Sequence, residues 1–222
     1  MLDFHAHILP GADHGCDRLE TALRQLELAR AAGIDTIVAT PHFYPQTDRF
    51  SDFLELREQA YSELMAHYAG PVRVLLGAEV HMCVGLDHLD GVEQLCIPGT
   101  RVMLCELSFR GVSSGVTETF ERMTDDLELD PILAHVDRYD PVWIDNLFAM
   151  GLRGQVNAEA LCRHFGRRRL LSWIDSGSIV ALGSDIHMTE VGYSQYTKAV
   201  DYLGAKARTV EKRVRKLLSG AM

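Results

Sequence analysis

Long apolar runs, cysteine pairs and positive charge are all scarce in this 222-residue chain, and each scarcity excludes something. No stretch approaches the roughly 18 uninterrupted apolar residues of a membrane-spanning helix, so no membrane insertion is expected. Near the amino terminus an acidic residue, Asp3, interrupts any apolar leader, which argues against a secretory signal. The cysteines number five (Cys16, Cys83, Cys96, Cys105 and Cys162), odd in count and without paired spacing. That is not a disulfide framework, and a reduced, cytoplasmic setting is expected. Lysine and arginine total 22 against 31 acidic residues, a net charge of -9. A general binder of nucleic acid or anionic membranes needs the opposite field. Two local basic clusters, Arg163 with Arg167 to Arg169 and Lys206 to Lys216, read as solvated helix faces. No lysine precedes Lys198, and no repeat, low-complexity run or linker divides the chain, so one domain over residues 1–222 is expected.

What is present is ordinary soluble-protein material, 47% hydrophobic and 24% charged, enough for a large core. Its order alternates. Leu2 to Ala6 reads as a buried strand, and Leu19 to Ala32 as a helix whose apolar positions Leu19, Ala22, Leu23, Leu26 and Ala29 share a face. Gly33 is placed to end it. Strands are expected at Ile34 to Ala39, Val72 to Leu76, Val102 to Glu106, Ile132 to Ala134, Gly154 to Asn157 and Ile179 to Leu182. Helical patterns lie between them, the longest from Asp52 to Tyr68. About seven β/α units result, the pattern of a parallel sheet with helices outside.

Against that map the residues that bind metals fall in register. His5 and His7 stand two apart on the first strand and so address one side of it. His42 follows the second strand, Glu79 the third, Glu106 closes the fourth, His135 follows the fifth, and Asp185 and His187 follow the seventh. In parallel α/β barrels the carboxyl ends of the strands are where active sites are built. His-x-His alone is a weak signal; the register of the whole set points to a metal centre.

The stretches His5-Ala6-His7-Ile8-Leu9-Pro10-Gly11-Ala12-Asp13, Ala39-Thr40-Pro41-His42, Gly77-Ala78-Glu79, Ala134-His135-Val136-Asp137-Arg138-Tyr139, Gln155-Val156-Asn157 and Ser184-Asp185-Ile186-His187 resemble, in order, the polymerase-and-histidinol-phosphatase (PHP) superfamily. The closest resemblance is to the bacterial manganese-dependent tyrosine phosphatases of capsule and exopolysaccharide operons. The resemblance implies a distorted, TIM-like (β/α)7 barrel, α/β in class, holding three divalent metal ions. It assigns His5, His7 and Asp185 to the first ion, with Glu79 bridging to a second that adds Glu106 and His135. The third would take His42, His187 and a residue of the Asp13-His14-Gly15 turn. The family has consecutive aspartates there, and this chain has His14 at the second. Either His14 ligates in its place, the favoured reading, or Asp13 swings in, or the third position is weak. An imidazole-only position biases the metal from manganese towards zinc or iron.

The resemblance also implies that Arg138 grips phosphate, for which a guanidinium fork is suited. The family places a further arginine in the loop after the final Asp-x-His. Here that loop, Met188-Thr189-Glu190-Val191-Gly192-Tyr193, has none, and Arg110 is the candidate stand-in. The implied reaction is attack of a metal-bridging hydroxide on a phosphomonoester. The leaving oxygen would be met by the third metal or by a protonated histidine, with His42 the candidate. A phosphotyrosine protein, such as a tyrosine autokinase, is the expected substrate. A small phosphate ester (histidinol phosphate or a nucleotide) is the alternative, and a non-catalytic metal-binding barrel is a third reading. A metal-dependent amidohydrolase is a fourth, but the carboxylated lysine many of those use has no candidate before Lys198. Cys162 and Arg168 show the Cys-x5-Arg spacing of thiol-dependent phosphatases, yet the stretch between them has one glycine and no Ser or Thr follows. We read that spacing as coincidence.

Overall fold

The computed structural model describes residues 1–188 and 191–221, so Thr189 and Glu190 of the loop without an arginine lie outside the described residues. Strands β1 (Leu2–Ala6), β2 (Thr36–Ala39) and β4 (Arg73–Leu76) form a three-stranded parallel sheet in the order β1-β2-β4. A six-stranded parallel sheet runs β3 (His42–Phe43), β5 (Glu79–His81), β6 (Val102–Glu106), β7 (Asp130–Leu133), β8 (Arg153–Asn157) and β9 (Ile179–Gly183). The helices are α1 (Leu19–Ala31), α2 (Phe50–His67), α3 (Ser114–Asp125), α4 (Pro141–Ala149), α5 (Ala158–Cys162), α6 (Arg167–Ser176), α7 (Val191–Leu203) and α8 (Ala205–Leu217). The fold is α/β with parallel sheets.

Two differences from the sequence reading concern the first half of the chain. The second and third strands each break and resume: β2 gives way to β3 across Thr40 and Pro41, and β4 to β5 across Gly77 and Ala78. Pro41 has no N–H to give a ladder. The hydrogen bonding nevertheless carries through, with Gly77 N donating to Ala39 O at 2.8 Å and Glu79 N to Pro41 O at 2.9 Å. The second difference is that the segment between β5 and β6 holds no α-helix. It contains two 3-10 turns, Leu86–His88 and Val92–Leu95, each entered from a left-handed glycine, Gly85 or Gly91.

Helix α1 shows how sequence becomes packing. Ala22, Gln25, Leu26 and Ala29 are its buried residues, the i, i+3, i+4, i+7 stripe of an amphipathic helix. Gly33, at φ +78, follows its end. Asp140 caps α4 by accepting from Val142 N at 2.8 Å, with Pro141 at the first helical position. One compact apolar cluster takes Leu2 and Phe4 from β1, Val38 from β2, Leu75 from β4, Val102 and Leu104 from β6, Ile132 from β7 and Val180 from β9. A larger cluster packs the helices around the strands. Among the described residues no helix is long and apolar enough to cross a membrane, and all five cysteines are free thiols.

Candidate metal centre

The site is assembled from strand ends. His5 lies on β1, His7 follows it, Glu106 ends β6, and His42 and Glu79 open the short strands β3 and β5. His135 and Asp185 come two residues beyond β7 and β9, both in left-handed backbone at φ 28 and φ 51. A non-glycine residue there costs on the order of 1–3 kcal/mol and persists only where its surroundings over-determine it. They do so here: His135 N donates to Gln155 Oε1 at 2.7 Å, and Asp185 N to His5 O at 2.7 Å.

Four imidazoles converge on one buried carboxylate. His5 Nε2 and His7 Nε2 each lie 3.2 Å from Glu79 Oε2, and His42 Nδ1 lies 3.0 Å from it. His135 Nε2 is 2.8 Å from Glu79 Oε1 and 3.7 Å from Glu106 Oε1. Asp185 Oδ1 stands 3.6 Å from His5 Nε2 and 3.5 Å from His7 Nε2. His187 stacks on His7 with ring centroids 4.2 Å apart. The sequence-predicted ligands His5, His7, His42, Glu79, Glu106, His135, Asp185 and His187 are thus brought together in one cluster.

Its donor atoms fit metal ions. Glu79 Oε2 and His42 Nδ1 are both buried without a hydrogen-bond partner, although they face each other. His5 Nε2 and His7 Nε2 face each other at 3.1 Å. Buried lone pairs aimed at one another at such distances are costly unless a cation stands among them. Among the described residues, the triads whose donor atoms lie within 4.8 Å of one another are His5, His7 and Asp185; His42, Glu79 and Glu106; and His7, His42 and His187. The first is the trio expected from the sequence. The second has His42 where His135 was expected, although His135 Nε2 also contacts Glu79, and the third has His7 where His14 was expected.

His14 is beside this cluster but at its rim. It is exposed, and its ring stacks on His42 with centroids 4.7 Å apart and lies 5.1 Å from that of His187. Asp13 is turned inward instead: Oδ2 accepts from His7 Nδ1 at 2.7 Å and from His42 N at 3.0 Å, and Oδ1 accepts from Gly15 N at 2.8 Å. Gly15 is required by proximity, since a Cβ there would stand 2.1 Å from His7 Cβ. In this geometry Asp13 fixes Nδ1–H on His7 and leaves Nε2 for the cluster, the arrangement that orients metal-bound histidines.

Electrostatics follow from the packing. Burial alone would raise the carboxyls, yet the His5 charge and the imidazole contacts hold Glu79 well below the usual carboxylate range, and His5 and His7 do the same for Asp185. Burial opposes protonation of His5 and His7, but the carboxylates around them win and raise both. His187 is pushed down to about 4 by burial and by the neighbouring His7 charge.

At the rim, the half-exposed Arg138 guanidinium pairs with Asp185 Oδ2. Tyr44 stacks on His42 at 5.3 Å, and His81 Nδ1 lies 3.2 Å from Glu106 Oε2, a place beside the cluster rather than within it. Arg110 is exposed after β6 and makes no ion pair among the described residues; its neighbour Phe109 packs on Tyr139 at 5.4 Å. Cys162 ends α5, and its thiol donates to Gln195 O at 3.4 Å. Sequence reasoning gave no role to Gln155, Asn157 or Gln25 and offered Asp13 only as a substitute third-metal ligand, although each holds the site; Gln25 Nε2 on α1 donates to His187 O at 2.8 Å. The available signals were the resemblance of the Gln155-Val156-Asn157 stretch and the spacing of its two amides, two apart on a strand like His5 and His7.

A family model for capsular polysaccharide synthesis, CpsB/CapC, matches residues 1–220. The tyrosine-protein phosphatase CpsB of Streptococcus pneumoniae is 25% identical, over 93% of this chain and 90% of its own. The tyrosine-protein phosphatase YwqE of Bacillus subtilis (strain 168) is 28% identical, over 84% of this chain and 77% of its own. Among the crystal structures of YwqE and CpsB, metal-dependent tyrosine phosphatases, one superposes with a TM-score of 0.81 at 22% identity, covering 99% of this chain and 95% of that one. That likeness establishes the fold. With the family match running almost end to end, the chain belongs to the CpsB/CapC family of capsular polysaccharide synthesis.

Proposed function

We propose that this chain is a metal-dependent protein-tyrosine phosphatase acting in capsular or exopolysaccharide regulation. The observation that carries the reading is the convergence of His5, His7, His42 and His135 on Glu79, with Asp185 beside them, in a member of this family. His5, His7 and Asp185 would hold one divalent ion, and Glu79, Glu106 and His135 a second. His42 and His187 would hold a third with His14 or Asp13. When bound, the ions supply Lewis acidity and a water acidified to near neutrality.

The chain's own groups do the rest. Arg138 sits half exposed beside Asp185, placed to present its fork to the non-bridging phosphate oxygens as charge develops. Arg110, exposed in the loop after β6, is the candidate second arginine. Tyr44, stacked on His42, walls the approach for an aromatic ring. The phenol of phosphotyrosine leaves with a pKa of about 10, so it asks less of an acid than an alkyl alcohol. If the third ion were absent, His42 would be the histidine nearest the leaving oxygen through its stack on Tyr44.

The finer architecture in this reading is a distorted (β/α)7 barrel in one domain over residues 1–222. Continuity of β2 into β3 and of β4 into β5 supports it, as does the parallel bridge between Ala6 and Ile186 that joins the end of β9 to β1. A cytoplasmic location, three metals with manganese favoured, and a tyrosine autokinase as partner complete the reading. A histidine-rich third position would favour iron or zinc; anomalous scattering showing only manganese there would refute that bias.

The test is phosphate release by metal-stripped protein with manganese, iron or zinc restored separately. The substrates are a phosphotyrosine peptide, histidinol phosphate and a nucleotide monophosphate. Metal-restored preference for phosphotyrosine is expected. Preference for a small ester would keep the site and reassign the substrate, and no turnover with metal bound would refute the phosphatase.

A further inference from the structure

Gln155 and Asn157 stand two apart on β8 and so face one side of the strand. Gln155 is fully buried, and its Oε1 takes two contacts, from His135 N at 2.7 Å and His5 Nδ1 at 3.2 Å. A backbone N–H only donates, so the atom facing it is the amide oxygen and the orientation of the side chain is fixed. An acceptor at that position requires hydrogen on His5 Nδ1, which leaves the His5 Nε2 lone pair for the cluster. The other end of the amide, Nε2, donates to Asn157 Oδ1 at 2.8 Å, which fixes Asn157 in turn. Asn157 Nδ2 donates to Asp185 Oδ2 at 2.9 Å, leaving Oδ1 turned to the histidine pair. Gly183 makes the space: a Cβ there would stand 2.5 Å from Gln155 Nε2 and 2.6 Å from His5 Cβ.

We propose that Gln155 and Asn157 form a positioning relay that sets the His5 tautomer, the left-handed His135 backbone and the metal-facing oxygen of Asp185 together. The relay couples the position bearing Asp185 to the position bearing His135 through a side-chain pair of neutral amides whose polar atoms are turned to the ligands. It rests on the metal-centre reading given under Proposed function. Because the partners are chained, Asn157 acts on Asp185 only while Gln155 holds it.

The full chain, stripped of metal, is titrated with manganese, with free ion read by electron paramagnetic resonance. The position bearing Asp185 is identified by anomalous scattering at limiting metal, and melting is followed in chelator. Gln155→Leu is expected to weaken both positions by about 10- to 100-fold, as loss of groups that orient ligands does. Asn157→Leu should weaken the Asp185 position by about 10- to 100-fold and spare the His135 position. The double variant should bind no more weakly there than Gln155→Leu alone, the non-additivity expected of one chain of contacts. Wild-type affinity at both positions in Gln155→Leu, or additive losses in the double variant, would overturn the relay. Should Gln155→Leu not melt cooperatively, Asn157→Leu decides: loss confined to the Asp185 position supports the relay, and unchanged binding overturns it. Wild-type protein that binds no manganese, iron or zinc would instead overturn the metal centre, and the relay with it.

Discussion

Replacing Asp13 by asparagine keeps the side-chain volume but removes one charge and converts one acceptor into a donor. In the native arrangement Oδ2 serves two donors, His7 Nδ1 and His42 N, while Oδ1 serves only Gly15 N. The amide oxygen would therefore stay on the pair, and the NH2 would turn against the Gly15 N–H. A buried N–H left unpaired costs about 1–3 kcal/mol, and a neutral acceptor in place of a charged one on His7 costs about 1 kcal/mol more. The expected destabilisation at neutral pH is thus roughly 2–4 kcal/mol, read by urea denaturation in chelator. Asp13 is held below the usual carboxylate range, against the pull of burial, by His7 and the two backbone N–H groups. Its contribution is therefore present above the unfolded value of about 3.9 and is lost as pH falls through the lower folded value. The gap between wild type and Asp13→Asn should accordingly shrink below about pH 4. Metal affinity should drop about 10- to 100-fold with the number of ions at saturation unchanged. A variant within about 0.5 kcal/mol of wild type would refute the hydrogen-bond argument. Loss of one ion in Asp13→Asn, with His14→Ala retaining the full set, would show that Asp13 ligates directly.

Arg138→Ala should lower kcat/KM for a phosphotyrosine peptide by roughly 10²–10³, and Arg138→Lys should recover only part because a point charge lacks the fork; steady-state rates within about threefold of wild type would remove Arg138 from the chemistry. Iodoacetamide and Cys162→Ser should leave turnover intact while a chelator abolishes it, and the reverse pattern would reinstate a thiol mechanism. Asp3 is buried and pushed up to about 6 by that burial, against the opposing Ser184 and His5 hydrogen bonds. A carboxyl raised in the folded state loses stability as pH climbs from about 4 to about 6, by at most roughly 3 kcal/mol. Asp3→Asn can still accept from Ser184 N and donate to Ser184 Oγ, so its melting curves should lack that pH-dependent loss; a loss identical to wild type would assign it to another group.

The amino-acid sequence by itself determined the parallel α/β class, and it singled out nine candidate ligand residues, eight of which the fold draws into one cluster. Strand pattern and ligand type are local properties, and a parallel sheet puts every strand's carboxyl end on one face, so register alone predicts convergence. The boundaries drifted by a residue or two, as for α1 and α2, because helix ends are decided by the last packed turn. The breaks at Pro41 and Gly77 and the helix-free stretch from 82 to 101 went unread. There, non-local hydrogen bonds and left-handed glycines outweigh the apolar pattern. Only the tertiary structure decided which side chains orient the ligands. Asp13 and His14 are neighbours in sequence, yet one is buried against His7 and the other stacks at the rim. Gln155 reaches His5 across 150 positions. A residue that binds metal announces itself by its chemistry, whereas one that aims the ligand is an ordinary amide or carboxylate until the fold supplies its partner. That partner is fixed by hydrogen-bond satisfaction in a dry interior, a condition no linear pattern records.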